Sequence, residues 1–463
     1  MNINKLKKEI SSPDYIFKEI NISGIKTYLI FNEVLTNSER IDEITWYLIT
    51  KIKRSDFKYL IYKIPCSNAK IIKEKDIEYY LNNGFVVLYY KKVIAIELRS
   101  ADGRSVQNIS SELSIGGARD AFTENINTNL NLIRKRIKSD LRIKTIIIGR
   151  LSKTKVDILY MENITNKKLV KSILDKLNKI DIDGIIDVSY LKYSLENNNI
   201  FPTIMMSERP DKCSMALLEG KVVIISENSC YGLILPTLFI DYFHTTDDYF
   251  QKSINTTFIR IIRILAFLIS IFLPAVYISV TTRNYNLIPY PLLILFKAGR
   301  SFVPFPAYIE ALFMIIAFEI LKESDLRMSN TSGSAVSILG GLILGDAAVA
   351  AGIVSPIMII IIAISSIAGL VFTSIELVNA LRLYKIILLI LSALLGINGV
   401  IIGAILLIFN IFSTKIFGIK YLEFDKNEVK DSIIKIDTKI KKRNSKLTNN
   451  IIRGRFKWRK CLL

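Results

Sequence analysis

Long uncharged stretches in the second half of the chain separate it sharply from the more polar first half. Three stretches contain no Asp, Glu, Lys or Arg: Ile264–Thr282, Ala347–Ile375 and Ile386–Thr414. A helix needs about 20 mostly apolar residues to cross the hydrocarbon layer of a membrane. Helices of soluble proteins seldom run that far without a polar face. The pattern therefore predicts membrane-spanning helices rather than a purely soluble protein.

Two further apolar segments carry acidic residues and allow more than one interpretation. Pro306–Leu321 contains Glu310 and Glu319, and the glycine-broken segment Met328–Gly345 leads directly to Asp346. The N-terminal region and the basic C-terminal tail are both expected inside, which requires an even number of crossings. The simplest solution makes 334–351 a re-entrant helix and places four crossings near 259–281, 305–321, 353–375 and 385–412.

Short β-rich runs alternate with helical patterns through the N-terminal half, which predicts an α/β fold of two subdomains with a break near 100–115. The predicted strands are 85–90, 93–98, 145–149, 156–161 and 222–226. The predicted helices are 123–138, starting at Thr123, and 166–180. The expected domains are 1–110 and 111–256 (α/β subdomains), 257–412 (an all-α multi-pass membrane domain) and 413–463 (a basic tail).

Charge and residue usage limit the kinds of catalytic and metal site that the chain can form. The net charges of 1–256, 257–412 and 413–463 are +7, +3 and +10, which together make the formal +20. The chain has one histidine and four cysteines without a CxxC pair, so the common zinc spacings and a two-histidine site are absent. No phosphate-binding glycine loop follows a predicted strand. We therefore expect neither an enzyme nor a bound cofactor or metal.

Two further features bear on location. The chain starts MNINKLKKEI without an apolar signal region, so we expect a cytosolic N-terminal domain. The tail from 425 to 463 mixes Lys and Arg with Phe456 and Trp458. It fits a solvated cytosolic tail or a contact with anionic lipids, and nucleic-acid binding is the least favoured alternative.

Acidic side chains at membrane depth are functional candidates because each costs roughly 2.5–3.5 kcal/mol there. Glu310 and Glu319 are nine residues apart and therefore lie on opposite faces of one helix. Repeated around a ring of subunits, Asp346 would form a negative band that favours cations. The alternative is that Asp346 pairs with Lys322, Arg327 or Arg382 only to hold helices together, and a structural role is also open for Glu310 and Glu319.

Six ordered blocks resemble the A subunits of GerA-type spore germinant receptors and cover most of residues 100–425. They are GGARDAFTENINTNLNLIRKRIK (116–138), KIDIDGIIDVSYL (179–191), SERPDKCSMALLEGKVVII (207–225), RILAFLISIFLPAVYISVTT (263–282), VPFPAYIEALFMIIAFEILKESDLRM (303–328) and GSAVSILGGLILGDAAVAAGIVSPIMIIII (333–362). The chain departs from the family pattern at Gly116, Ala118, Cys230, Lys420 and Asp346. Asp346 stands where glutamine is usual.

The resemblance implies a nutrient-triggered ion-release device in the inner membrane of an endospore. Its A subunit would oligomerise into a channel and work with a transporter-like B subunit and a lipoprotein C subunit. Membrane lipids are the other expected partner, and no nucleic acid is expected. The candidate pore or membrane polar residues are Asp346, Ser337, Ser334, Glu310 and Glu319.

The residues of the N-terminal domain that match the family motifs are expected to organise that domain or to contact other subunits rather than to catalyse. They are Arg119, Glu124, Glu208, Arg209, Asp211 and Glu219. Two competing functions remain. A secondary transporter would also use glycine-broken helices and a midplane acid, and a scaffold could assemble receptor clusters without conducting ions.

Overall fold

The computed structural model describes residues 6, 13–66, 68–90, 92–98, 112, 116–327, 333–422 and 447–448. The chain divides into two compact units. The first comprises residues 1–197, 203–237 and 438–463, and the second comprises residues 198–202 and 238–437. Most of the predicted break near 100–115 and most of the tail lie outside the described residues.

The first half of the N-terminal unit is a five-stranded sheet of order β1-β2-β4-β5-β3 with antiparallel neighbours. Val87 and Leu88, neighbours on the central strand β4, are fully buried on opposite faces of the sheet, so both faces carry a packed core. The elements are β1 Tyr15–Ile22, β2 Ile25–Asn32, α1 Ser38–Lys51, α2 Leu60–Lys63, β3 Ala69–Ile72, α3 Ile77–Leu81, β4 Phe85–Tyr89 and β5 Val93–Glu97, with 3-10 segments at Arg54–Tyr59 and Glu74–Asp76.

A second five-stranded antiparallel sheet follows, of order β6-β7-β9-β10-β8. Every residue of its central strand β9 is buried, as expected of a short uninterrupted apolar run. The elements are α4 Ile126–Arg136, β6 Leu141–Ile148, β7 Thr154–Met161, α5 Lys167–Leu177, α6 Ser189–Leu195, β8 Met205–Ser207, α7 Pro210–Glu219, β9 Val222–Ser226 and β10 Gly232–Leu235. The expectation of an N-terminal α/β region is confirmed.

Two element starts differ from the sequence prediction by three residues or more. Helix α4 starts at Ile126 and not at Thr123, because Asn125 caps it by accepting hydrogen bonds from the backbone N–H groups of Asn127 (2.9 Å) and Thr128 (3.3 Å). Strand β6 starts at Leu141, four residues before the predicted start. Its first half alternates apolar and polar residues at the edge of the sheet, whereas the prediction followed only the apolar run.

The second unit is helical. Two of its helices, α8 and α13, are long and apolar enough to cross a membrane by length and composition. The unit contains α8 Ser253–Thr282, α9 Tyr290–Gly299, α10 Ala307–Arg327, α11 Gly333–Ala350, α12 Pro356–Gly369, α13 Ile375–Leu395, α14 Ile397–Ser413, β11 Lys415–Ile416 and β12 Ile419–Lys420, with 3-10 segments at Phe239–Phe243, Thr246–Tyr249 and Tyr285–Leu287.

The stretch 385–412, predicted as a single crossing, contains a chain reversal. Helix α13 ends at Leu395 and α14 begins at Ile397, with Gly396 between them at φ +62° and ψ −137°, a conformation accessible essentially to glycine alone. The side chain of Asn284, just after α8, accepts a hydrogen bond from the N–H of Ile397 (3.0 Å). The two helices pack against each other and against α8.

Candidate functional site

An ion pair inside the N-terminal unit fixes the start of α7. Nε and Nη2 of Arg209 donate to the two carboxylate oxygens of Asp211, at 3.0 and 2.7 Å, and both side chains are buried. Pro210 occupies the first turn of the helix, where its missing N–H is not needed. Bidentate geometry makes this pair strong and directional. The pair therefore fixes the turn before α7 against the first turn of that helix.

Glu208 extends this network. Its carboxylate accepts a hydrogen bond from the backbone N–H of Glu112 (3.0 Å), and its carbonyl accepts one from the N–H of Phe122 (2.8 Å). The Glu112 carboxylate in turn accepts from the hydroxyl of Ser207 and from Nζ of Lys212, both at 3.0 Å. These contacts join the segment before α4 to the β8–α7 turn, and sequence reasoning did not single out Glu112.

The remaining motif residues are at least partly exposed. Arg119 and Glu124 have exposed side chains. Glu219, at the end of α7, lies 3.3 Å from Nζ of Lys221. The motif thus combines a buried network with two charged surface positions. Within the described residues, no group of three or more His, Cys, Asp or Glu side chains could hold a metal ion.

In the helical unit, Glu310 is buried and paired with Arg300. Its side chain is 1% exposed. One oxygen accepts from Nη2 (2.9 Å) and Nε (3.2 Å) of Arg300, and the other accepts from the N–H of Ser355 (3.1 Å). Ser355 caps α12. Glu310 therefore ties the loop after α9 and the start of α12 to α10.

Glu319 takes part in a second charged group. Nη2 of Arg382, on α13, lies 2.7 Å from Oε2 of Glu319. Lys385, one turn further along α13, is 6% exposed and close enough to interact electrostatically with Glu319, Lys322 and Arg382. The sequence places Lys385 at the edge of an uncharged stretch but does not show that it points inward.

Asp346 differs from both glutamates. It lies on α11 with an exposed side chain, and it makes no ion pair or side-chain hydrogen bond to any described residue. Arg382, one of its predicted partners, pairs with Glu319 instead. Ser334 and Ser337 lie on the same helix, but their side chains are outside the described part of the structure.

A charged cluster of Asp248, Arg260 and Arg263, which sequence reasoning missed, joins the segment before α8 to the N-terminal part of that helix. Asp248 accepts hydrogen bonds from Nη1 (2.7 Å) and Nη2 (3.0 Å) of Arg263, and Nε of Arg260 lies 3.4 Å from the same carboxylate. Burial raises the pKa of Asp248, but the hydrogen bonds and charge of Arg263 outweigh burial and hold this pKa below its usual value. The available signal was the pair of arginines just before the uncharged stretch 264–282, because buried arginines are normally paired with an acid.

Comparison with known proteins decides the family. The family profile described as Bacillus/Clostridium GerA spore germination protein matches residues 2–447. The chain belongs to the GerA family. The resemblance inferred from the six sequence blocks is therefore confirmed.

Several curated relatives match most of this GerA-family chain. Spore germination protein KA of Bacillus subtilis (strain 168) is 35% identical over 94% of the chain and 84% of its own length. Spore germination protein GerQA of Bacillus cereus is 32% identical over 92% of the chain and 88% of its own length. A crystal structure of the N-terminal domain of the A subunit of the Bacillus megaterium spore germinant receptor GerK3 is 27% identical, covers 51% of the chain and 94% of that domain, and has a TM-score of 0.40.

Proposed function

We propose that this protein is the membrane subunit of a nutrient-responsive spore germinant receptor, and that copies of it surround a water-filled ion path lined by α11. Family membership supports the receptor role, because the relatives are spore germination proteins. The apolar helices α8 and α13 support a membrane location, as does one relative, 30% identical, that is described as a membrane protein.

The exposed carboxylate of Asp346 is the observation that supports the ion path. In hydrocarbon an unpaired acid costs several kcal/mol, so such groups normally face protein or water. Ile343 and Ala347 are also exposed on α11, so Asp346 stands on a surface that a lipid-facing helix would keep apolar. If copies of the chain surround a column of water, Asp346 is hydrated and the cost of placing its carboxylate in hydrocarbon does not arise.

The packing of α11 gives it a second, different face. A Cβ added at Gly340 would lie 3.1 Å from a methyl group of Leu321 on α10, and one added at Gly345 would lie 3.9 Å from Ile359 on α12. Asp346 is left available to other copies.

The two ends of the helical unit support an even number of crossings. The N–H of Phe239, before α8, donates to the carbonyl of Tyr421, after α14 (3.0 Å), and the two rings are 5.8 Å apart. A chain whose start and end meet in this way returns to the side from which it began. We assign that side to the cytosol of the spore, so that the α/β domain and the tail are cytosolic. The helical unit then lies in the inner membrane. Its proposed partners there are a transporter-like B subunit and a lipoprotein C subunit.

Planar-bilayer recording of the purified full chain tests the ion path. We expect unitary current steps, and we expect Asp346→Asn to shift the reversal potential in mixed salts toward lower cation preference. The matched control is Glu376→Gln, which removes an acid from the first turn of α13 and should leave selectivity unchanged. Slow saturable flux without current steps would favour a transporter, silence would favour a scaffold, and either result would overturn the channel.

A further inference from the structure

A short piece of the C-terminal tail belongs to the α/β unit rather than to the helical one. Beyond Leu422 the structure describes only Leu447 and Thr448, and both lie in the first compact unit. Their side chains are 2% and 8% exposed. Such burial is unexpected for residues of a strongly basic tail, and it requires a surface that receives them.

Backbone contacts hold the segment in place. The N–H of Asn166 donates to the carbonyl of Leu447 at 2.9 Å, and Thr165 and Thr448 form an antiparallel β-bridge. Asn166 also caps α5 by accepting a hydrogen bond from the N–H of Lys168 (3.0 Å). The side chain of Asn166 thus caps the start of α5, and its backbone N–H binds the tail.

Gly220 forms the other wall of this site. It ends α7 with φ +96°, a left-handed conformation that favours glycine. A Cβ at this position would lie 2.9 Å from Cγ2 of Thr448 and 3.2 Å from the carbonyl oxygen of Leu447. Gly220 is the glycine of the LLEGKV motif. The motif therefore has two reasons to hold a glycine here: the left-handed backbone at the helix end, and the space that the tail occupies.

We propose that the surface formed by Thr165, Asn166 and Gly220 is a docking site for the tail of the same chain, which leaves the helical unit and ends on the α/β unit. The 24 residues between Leu422 and Leu447 reach at most about 80 Å when extended, and 13 of them are charged. A linker of this composition does not cross a membrane. The docked tail therefore requires an even number of crossings in the helical unit, whether or not the assembly conducts ions.

A cysteine pair at the bridge tests the site in the full-length protein. Paired residues of antiparallel strands have Cα atoms about 4.5–5.5 Å apart, within the range of a disulfide. Thr165→Cys with Thr448→Cys, in a background with Cys66, Cys230 and Cys461 changed to serine, should form an intramolecular disulfide with a mild oxidant. With a protease site inserted within 423–446, the cut halves should stay joined until reduction. The control pair Asn178→Cys with Thr448→Cys, with one cysteine at the far end of α5, should separate at once.

Three results would overturn the assignment. Absence of the disulfide would exclude the docked tail, and a cross-link between two chains would place the tail of another copy in the site. Gly220→Asn gives a second measurement, because asparagine tolerates a left-handed backbone but its Cβ collides with the tail. We expect it to reduce cross-linking at least fivefold, and Gly24→Asn to have no effect, since Gly24 has φ +83° and open space at its Cβ position. Unchanged cross-linking in a folded Gly220→Asn protein would also count against the site.

Discussion

Arg134, on α4, and Asp14, just before β1, form a buried ion pair in the α/β unit. Nη2 of Arg134 lies 2.6 Å from Oδ2 of Asp14, and the two side chains are 1% and 4% exposed. Asp14 also accepts a hydrogen bond from Asn32 (2.8 Å), and the guanidinium lies 5.5 Å from the centre of the Tyr15 ring. Residues 120 positions apart in the chain therefore fix the position of α4 against the first sheet.

Breaking this pair should destabilise the protein strongly. Asp14→Asn leaves the buried guanidinium without its countercharge, which typically costs about 3–5 kcal/mol. Thermal melting of the full chain in detergent measures the effect. The control is Asp181→Asn, which breaks the exposed pair with Arg150 and should shift the melting temperature far less. Equal shifts in the two variants would show that the buried pair has no special role.

The corner between α13 and α14 should not tolerate a side chain at Gly396. An added Cβ would collide with Oδ1 of Asn284 and lie 3.1 Å from Cβ of Arg283, and the backbone conformation there is itself unfavourable for alanine. We expect Gly396→Ala to lower the yield of folded protein and its melting temperature. Asn284→Ala should recover part of the loss in the double variant, since it removes the closest contact. Fully additive effects would exclude that collision as the cause.

Stability should decrease in acid partly through Asp248. Because Arg263 holds the folded-state pKa of Asp248 below its usual value, the ionised carboxylate stabilises the fold above the unfolded-state pKa of about 4. This contribution is lost as the pH falls through the lower folded-state pKa. Asp248→Asn should therefore reduce the loss of stability below pH 4, measured by urea unfolding across pH. Arg263→Ala should have the same effect. If both variants lose as much stability below pH 4 as the unaltered protein, Asp248 does not contribute to the acid sensitivity.

The cysteines should differ in reactivity. Cys213 is fully buried, and burial raises the pKa of its thiol well above the usual range, whereas Cys66 and Cys230 are partly exposed. Thiolate is the reactive form. In a Cys461→Ser background, a maleimide should label Cys66 and Cys230 in the native protein, and Cys213 only after denaturation. Rapid native labelling of Cys213, read by mass spectrometry of peptides, would contradict the packing around it.

Local patterns predicted much of the α/β unit. The runs 85–90, 93–98, 156–161 and 222–226 each differ from the observed strands by no more than two residues at either end, because these strands are short and rich in β-branched or aromatic residues. The predicted start of α4 was wrong because Thr123 and Asn125 are both suitable capping residues, and only the backbone geometry shows that Asn125 caps the helix. The pairing of the sheets and the contact of Arg134 with Asp14 join distant parts of the chain and have no local signal.

The sequence by itself determined that the chain has an α/β half and a long apolar half, and that it resembles the GerA family. Hydrophobic period, charge distribution and ordered motifs are all properties of neighbouring residues. The tertiary structure alone decided that Glu310 and Glu319 are paired while Asp346 is exposed, that the last apolar stretch reverses at Gly396, and that Leu447 returns to the α/β unit. Each of these depends on which distant groups meet, and so on the free energy of the whole packed arrangement.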